Sequence, residues 1–146
     1  MNDAVFIKLF EFRGLEFGLI DAGSWALRKP PLLEVHALNA RRPAPAWLPL
    51  LEGTYAAFRE ALNSGMARAS TGPASATFPL QTLLASALEN HSDYWTKLAL
   101  VWTRDAEQAG AVREQLKALM TNPYVSQSTR HTAKKLFFSP LLARPA

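Results

Sequence analysis

The sequence predicts a mainly α fold: antiparallel helices in a bundle or repeat-like arrangement, with an N-terminal segment that is either a helix or a short β-hairpin. Three observations carry this. Apolar residues recur at helical spacing through the C-terminal half, capping residues flank each periodic run, and the turns between the runs are short.

The first 62 residues are the harder half. In "DAVFIKLFEFRGLEFGLID", Asp3 suits an N-cap and Gly14 a helix stop. Two extended runs about Arg13-Gly14 would instead make a hairpin. The helix is preferred, because everything later reads as helix and an isolated hairpin is only marginally stable. "PPLLEVHALNARRP" is a proline-opened short helix or an extended segment. "PAWLPLLEGTYAAFREALNSG" reads as a helix that Pro49 and Gly53 shorten or kink, ending at Asn63-Ser64-Gly65. Residues 63–77, "NSGMARASTGPASAT", read as a flexible loop, either a connector or a segment that orders on a partner. Neither side shows a convincing separate core, so 1–146 is taken as one domain.

The second half is more regular. Leu80, Leu83, Leu84, Ala87 and Leu88 form one helical face, with Thr77 as N-cap and Asn90 at the close. Ser92 caps the next helix, with Asp93 at its positive end. "DYWTKLALVWTR" is apolar round most of its circumference, which predicts a central helix. "DAEQAGAVREQLKALMTNP" is a third helix, buried through Ala109, Val112, Leu116, Leu119 and Met120 and stopped by Asn122-Pro123. The last helix faces inward through Thr129, Ala133, Leu136 and Phe137 and ends at Ser139-Pro140.

Composition excludes several classes. A chain that is 49% hydrophobic and 19% charged is not a disordered one. With no cysteine, disulfide scaffolds, thiolate metal sites and thiol nucleophiles are excluded. No apolar run nears the ~20 residues of a membrane-spanning helix. "MNDAVFIKLFEF" lacks the basic start of a signal peptide, so the expected place is the cytoplasm, away from membranes.

No nucleophile elbow, phosphate-binding loop or paired-histidine metal motif occurs. His36, His91 and His131 share no ligand spacing. "HSD" at 91–93 is local capping rather than a triad, and Glu11/Glu16 and Glu107/Glu114 read as solvated. No catalytic residue, metal or cofactor is expected. Trp95 and Trp102, seven apart among Leu, Ala and Val, read as core. Trp25 and Trp47, beside prolines, read as half-exposed and as candidate interface anchors.

The net charge of +4 is unevenly placed: residues 1–62 balance seven bases against seven acids, and no acid follows Glu114. "STRHTAKKLFF" puts Arg130, His131, Lys134 and Lys135 on the last helix. The strip is either a solvated face or a partner-binding surface. Arg130 is a cation at the unfavourable end of a helix, and its removal is expected to leave folding unchanged. Arg41 and Arg42 complete the candidate partner-binding set. A protein partner is the first expectation. Nucleic acid held by the basic terminal helix with Arg41 and Arg42 is the alternative.

"HSDYWTKLALVW" and "VSQSTRHTAKKLFF" resemble, over about residues 78–138, a HEAT-like helical repeat. The echo between Tyr55 and Tyr94, 39 residues apart, is near the period of ~40–47 residues of such units. More loosely, the chain is similar to the small, cysteine-free immunity proteins that neutralise bacterial toxins. That resemblance implies a non-enzymatic protein that blocks one toxin domain by steric occlusion. Immunity proteins against nuclease toxins tend to be acidic. This basic chain implies instead a toxin that is acidic or neutral where they meet, or a contact on the neutral N-terminal half.

Overall fold

The structure, a computed structural model, describes residues 6–20, 24–31, 35–37, 45–69, 78–90 and 92–139; the side chains at 35–37 and 45 are not part of that description. Two compact units divide the chain, Met1–Pro79 and Leu80–Ala146. The first unit corrects the mainly α expectation, because its N-terminal half is an antiparallel sheet.

Strands β1 (Phe6–Phe12), β2 (Leu15–Ile20) and β3 (Ser24–Arg28) form a meander in the order β1-β2-β3-β4, with the three-residue β4 (Val35–Ala37) at the edge. Phe12 pairs with Leu15, so the first connection is a two-residue loop, and both its residues have positive φ, 52° at Arg13 and 80° at Gly14. Positive φ at both positions is the hairpin geometry that matches strand twist. Arg13 is an unusual occupant of such a position, and its Nη1 lies 3.2 Å from Glu52 Oε1.

The helical preference over 3–21 failed for a physical reason. The β1–β2 register shifts between Lys8 and Phe10, a bulge at Leu9. The bulge destroys the period-two alternation that marks a strand and puts Lys8 and Glu11 on the same face, 3.0 Å apart. Three-residue spacing of opposite charges is also what a helix shows. On that outer face Glu16 accepts from Arg28 Nε at 2.8 Å, which holds its carboxyl below the usual range.

The other face of the sheet carries the core. A 3-10 helix (Pro45–Glu52) and helix α1 (Tyr55–Ala69) follow the sheet, separated at Gly53-Thr54, with Thr54 Oγ1 accepting from Ala57 N. Six rings interlock here. Phe10 stacks on Phe17 at 4.9 Å, Phe17 meets Trp47 at 5.3 Å, and Phe78 touches Trp25, Trp47 and Phe58 at 5.2, 5.8 and 4.9 Å. Each such pair adds ~0.5–1.5 kcal/mol beyond area burial. Trp47 is 0% exposed and Trp25 is buried, so neither is the half-exposed anchor expected.

Helix α1 does not stop at Asn63-Ser64-Gly65; it continues to Ala69, so the expected 63–77 loop is helix in its first seven residues. Residues 70–77 lie outside the described residues. Gly65 is an interior packing position rather than a stop: a Cβ there would overlap the carbonyl oxygen of Leu9. That carbonyl, freed by the bulge, also accepts from Arg68 Nη2 at 2.8 Å. One bulged residue thus seats α1 on β1.

The second unit is α2 (Leu80–Leu88), α3 (Asp93–Asp105), α4 (Arg113–Leu119) and α5 (Gln127–Phe137). Here the helical spacing agrees with the structure, except that α3 is not covered all round: Tyr94 and Val101 are exposed. Leu83, Leu84, Ala87 and Leu88 are buried, as are Leu116, Leu119, Thr129 and Ala133. Ser92 Oγ accepts from Trp95 N as expected of a cap. Helix α4 starts later than expected, because Ala106–Val112 forms turns with Glu107 at φ 54°. The buried Thr96 and Thr103 hydroxyls donate to the Ala87 and Ala99 carbonyls. Helix α2 packs on α3 and α4, and α5 packs on the same two, so the α3/α5 seam lies across the bundle from the α2/α4 seam. Among the described residues, no helix is long and apolar enough to cross a membrane.

Candidate protein-docking groove

Helix α3 places Lys97, Leu100, Val101 and Arg104 at i, i+3, i+4 and i+7, which is one stripe of its surface. Helix α5 sets Ser128, Thr132, Lys135 and Leu136 opposite. Between them runs an open groove of about 480 Å³. Its apolar lining is Leu100, Val101 and Leu136, and Ser128, Thr129 and Thr132 add hydroxyls. Leu100 is buried, while Val101 is 44% exposed, large for a β-branched side chain on a helix. Its rim is cationic.

The rim charges differ in how they are engaged. Lys97 Nζ lies 3.3 Å from Asp93 Oδ2 and Arg104 Nε 3.0 Å from Asp105 Oδ1, both solvent-facing pairs of small worth. Lys135 has no carboxylate within ion-pair distance among the described residues. Lys135 is therefore the surplus positive charge of the groove.

Asp93 ties the two walls together. Its Oδ1 accepts from Ser126 N at 2.9 Å and from Thr129 Oγ1 at 2.6 Å. Ser126 Oγ in turn accepts from Thr129 N at 3.2 Å, capping α5. One carboxylate thus sits at the N-termini of two helices, where their dipoles favour negative charge. The hydrogen bonds from Thr129 and Ser126, against a smaller opposing effect of burial, lower its pKa from 3.8 to about 2. This joins α3 to α5 at one end and leaves the groove beyond it.

The residues expected to bind a partner separate accordingly. Lys135 lines the groove. His131 and Lys134 are exposed on α5 but do not line it. Arg130 Nη1 donates to the carbonyls of Asn122 at 3.1 Å and Val125 at 2.6 Å, tying the α4–α5 turn, and Arg130 does not line the groove. The expectation that its loss leaves folding unchanged is corrected by those two bonds. Trp47 is in the core of the first unit. Arg41 and Arg42 lie outside the described residues, as does His91.

Sequence reasoning missed Lys97, Val101 and Arg104. The signal was present: two cations seven apart bracketing Leu-Val within "KLALVWTR". Reading that helix as apolar all round hid them.

A second, shallower groove of about 300 Å³ lies along α2/α4, where Glu89 and Glu114 meet Leu88 and Leu119. Glu89 Oε2 accepts from Gln115 Nε2 at 2.8 Å. Basic and acidic grooves thus occupy opposite edges of one bundle.

Compared with protein-family models, with curated proteins and with solved structures, the chain matches none.

Proposed function

We propose that this chain is a non-enzymatic, cytoplasmic protein-binding module that contacts its partner through the α3/α5 groove and acts by covering it. The observation that carries the reading is Val101, an exposed branched apolar side chain between Lys97 and Arg104 on the groove-lining stripe of α3. Apolar floors with polar rims are the anatomy of protein contact sites, and rim charge selects the partner's sign. The partner is therefore acidic or neutral at the contact. An immunity- or antitoxin-type role is the concrete form of this reading, and the basic rim fits the charge departure noted in the sequence.

The test is photo-crosslinking from a benzoylphenylalanine at position 101, in the cell of origin. One protein is expected in the adduct, and it should disappear with Lys97→Glu/Arg104→Glu/Lys135→Glu. In the immunity form, that protein is toxic when expressed alone and harmless when this chain is co-expressed. Adducts consisting of nucleic acid, or an adduct indifferent to the charge reversal, would refute the reading.

A further inference from the structure

Resting on the reading of the α3/α5 groove as a protein-contact face, we infer that its occupant is an amphipathic helix carrying acids at i and i+7 and apolar residues at i+3 and i+4. The stripe Lys97, Leu100, Val101, Arg104 has that spacing in cation and apolar residues. Lys97 and Arg104 are two turns apart, ~10.5 Å along the axis at 1.5 Å per residue. A helix lying alongside repeats its own side chains at the same interval and sets two carboxylates against the two cations. Its i+3 and i+4 residues then fall on Leu100, Val101 and Leu136.

An extended segment does not match. Same-face residues of a strand recur at ~6.6 Å and ~13 Å, on either side of the required distance. The pattern i, i+3, i+4, i+7 also reads the same in both directions, so it accepts a helix of either polarity.

A polyanion is the poorer fit. Asp93 and Asp105 stand beside Lys97 and Arg104 at 3.3 and 3.0 Å and would repel closely spaced phosphates. The Ser128 and Thr132 hydroxyls could donate to a phosphate, but the apolar side chains of Leu100, Val101 and Leu136 would stay uncovered by one. A carboxylate on a helix can approach each cation singly, while the apolar residues between cover Val101.

The probe is a fluorescein-labelled synthetic helix of Ala and Gln containing Glu-Ala-Gln-Leu-Leu-Ala-Gln-Glu, titrated with the full chain and read by anisotropy. Binding is expected to weaken at least ~10-fold when both Glu are Lys, and equally with Val101→Glu, whose side chain is already part-exposed. The variant Lys97→Glu/Arg104→Glu/Lys135→Glu should lose the Glu peptide and gain the Lys peptide. Circular dichroism of each variant confirms folding, and Val101→Glu keeps the test decisive if the triple variant does not fold.

Equal binding of the Glu and Lys peptides would overturn the inference. So would equal binding of a scrambled peptide of the same composition, or displacement by oligothymidylate at equal phosphate and carboxylate concentration. Concentration-dependent sedimentation abolished by Glu89→Lys/Glu114→Lys would overturn it too, assigning the groove to the acidic edge of a second copy. Peptide failure with the position-101 protein adduct intact refutes the helix alone; loss of both refutes the contact face itself.

Discussion

Replacing Asp93 by Asn removes a charge while keeping an oxygen where two helix N-termini meet. In the wild type, Oδ1 accepts both the Ser126 amide and the Thr129 hydroxyl, and Thr129 is 1% exposed. An Asn carbonyl can hold the same place, so Asp93→Asn isolates the charge-assisted part. Lowering a pKa from 3.8 to about 2 corresponds to ~2.5 kcal/mol if fully expressed in stability. About a third of the Asp93 side chain is exposed, and solvent screening reduces this to ~1 kcal/mol. Asp93→Ala leaves the buried Thr129 hydroxyl without that acceptor and should cost a further ~1–2 kcal/mol. The folded pKa lies below the unfolded one, so the stabilisation is complete above pH 3.8 and is lost as pH falls through about 2. Urea denaturation followed by tryptophan fluorescence from pH 7 to pH 2 reads this directly. The gap between wild type and Asp93→Asn should be constant down to about pH 4 and close towards pH 2. A gap that stays constant to pH 2, or an Asp93→Ala variant as stable as wild type at pH 7, would show that the Asp93 charge does not stabilise this helix junction.

Other expectations can be checked on the same footing. Gly65→Ala, which in an ordinary helix interior gains ~1 kcal/mol, should destabilise the first unit by ~3 kcal/mol in thermal unfolding, because the new Cβ meets the Leu9 backbone rather than a movable side chain. Arg130→Ala should lower the stability of the second unit by ~1–2 kcal/mol in urea, since the Asn122 and Val125 carbonyls lose a charged donor, whereas Lys134→Ala should shift it by less than ~0.5 kcal/mol. Trp47→Ala should cost ~3–5 kcal/mol and collapse near-ultraviolet circular dichroism, as loss of a core ring does and loss of a surface anchor does not.

The helices of the second unit were legible because their determinants are local. Ser92 caps the third amide after it, and Leu80–Leu88 repeats on one face whatever packs there. The cationic half of the groove was legible in Lys135 but not in Lys97 or Arg104, whose meaning depends on which side of α3 the neighbouring helices leave open. In the first unit, the strand β1 carries a bulge, and a bulge erases the only local signature a strand has. Arg13-Gly14 marked the turn of the hairpin alternative, but arginine is uncommon at positive φ, and its ion pair with Glu52 comes from 39 residues away.

The locally encoded elements are thus legible in the residues alone: α2, α3, α5, the Ser92 cap, and the surplus of positive charge beyond Glu114. The tertiary structure decided the rest through contacts between distant residues. Leu9 and Arg68 are 59 apart in the chain, and Asp93 and Thr129 are 36 apart. The first contact converts a glycine that reads as a helix stop into the place where α1 touches the sheet. The second converts a residue that reads as a dipole partner into the joint of a groove. A periodic pattern records which face of an element is buried. It does not record which carbonyl, carboxylate or helix end waits on the other side, because that partner is chosen only when the chain closes on itself.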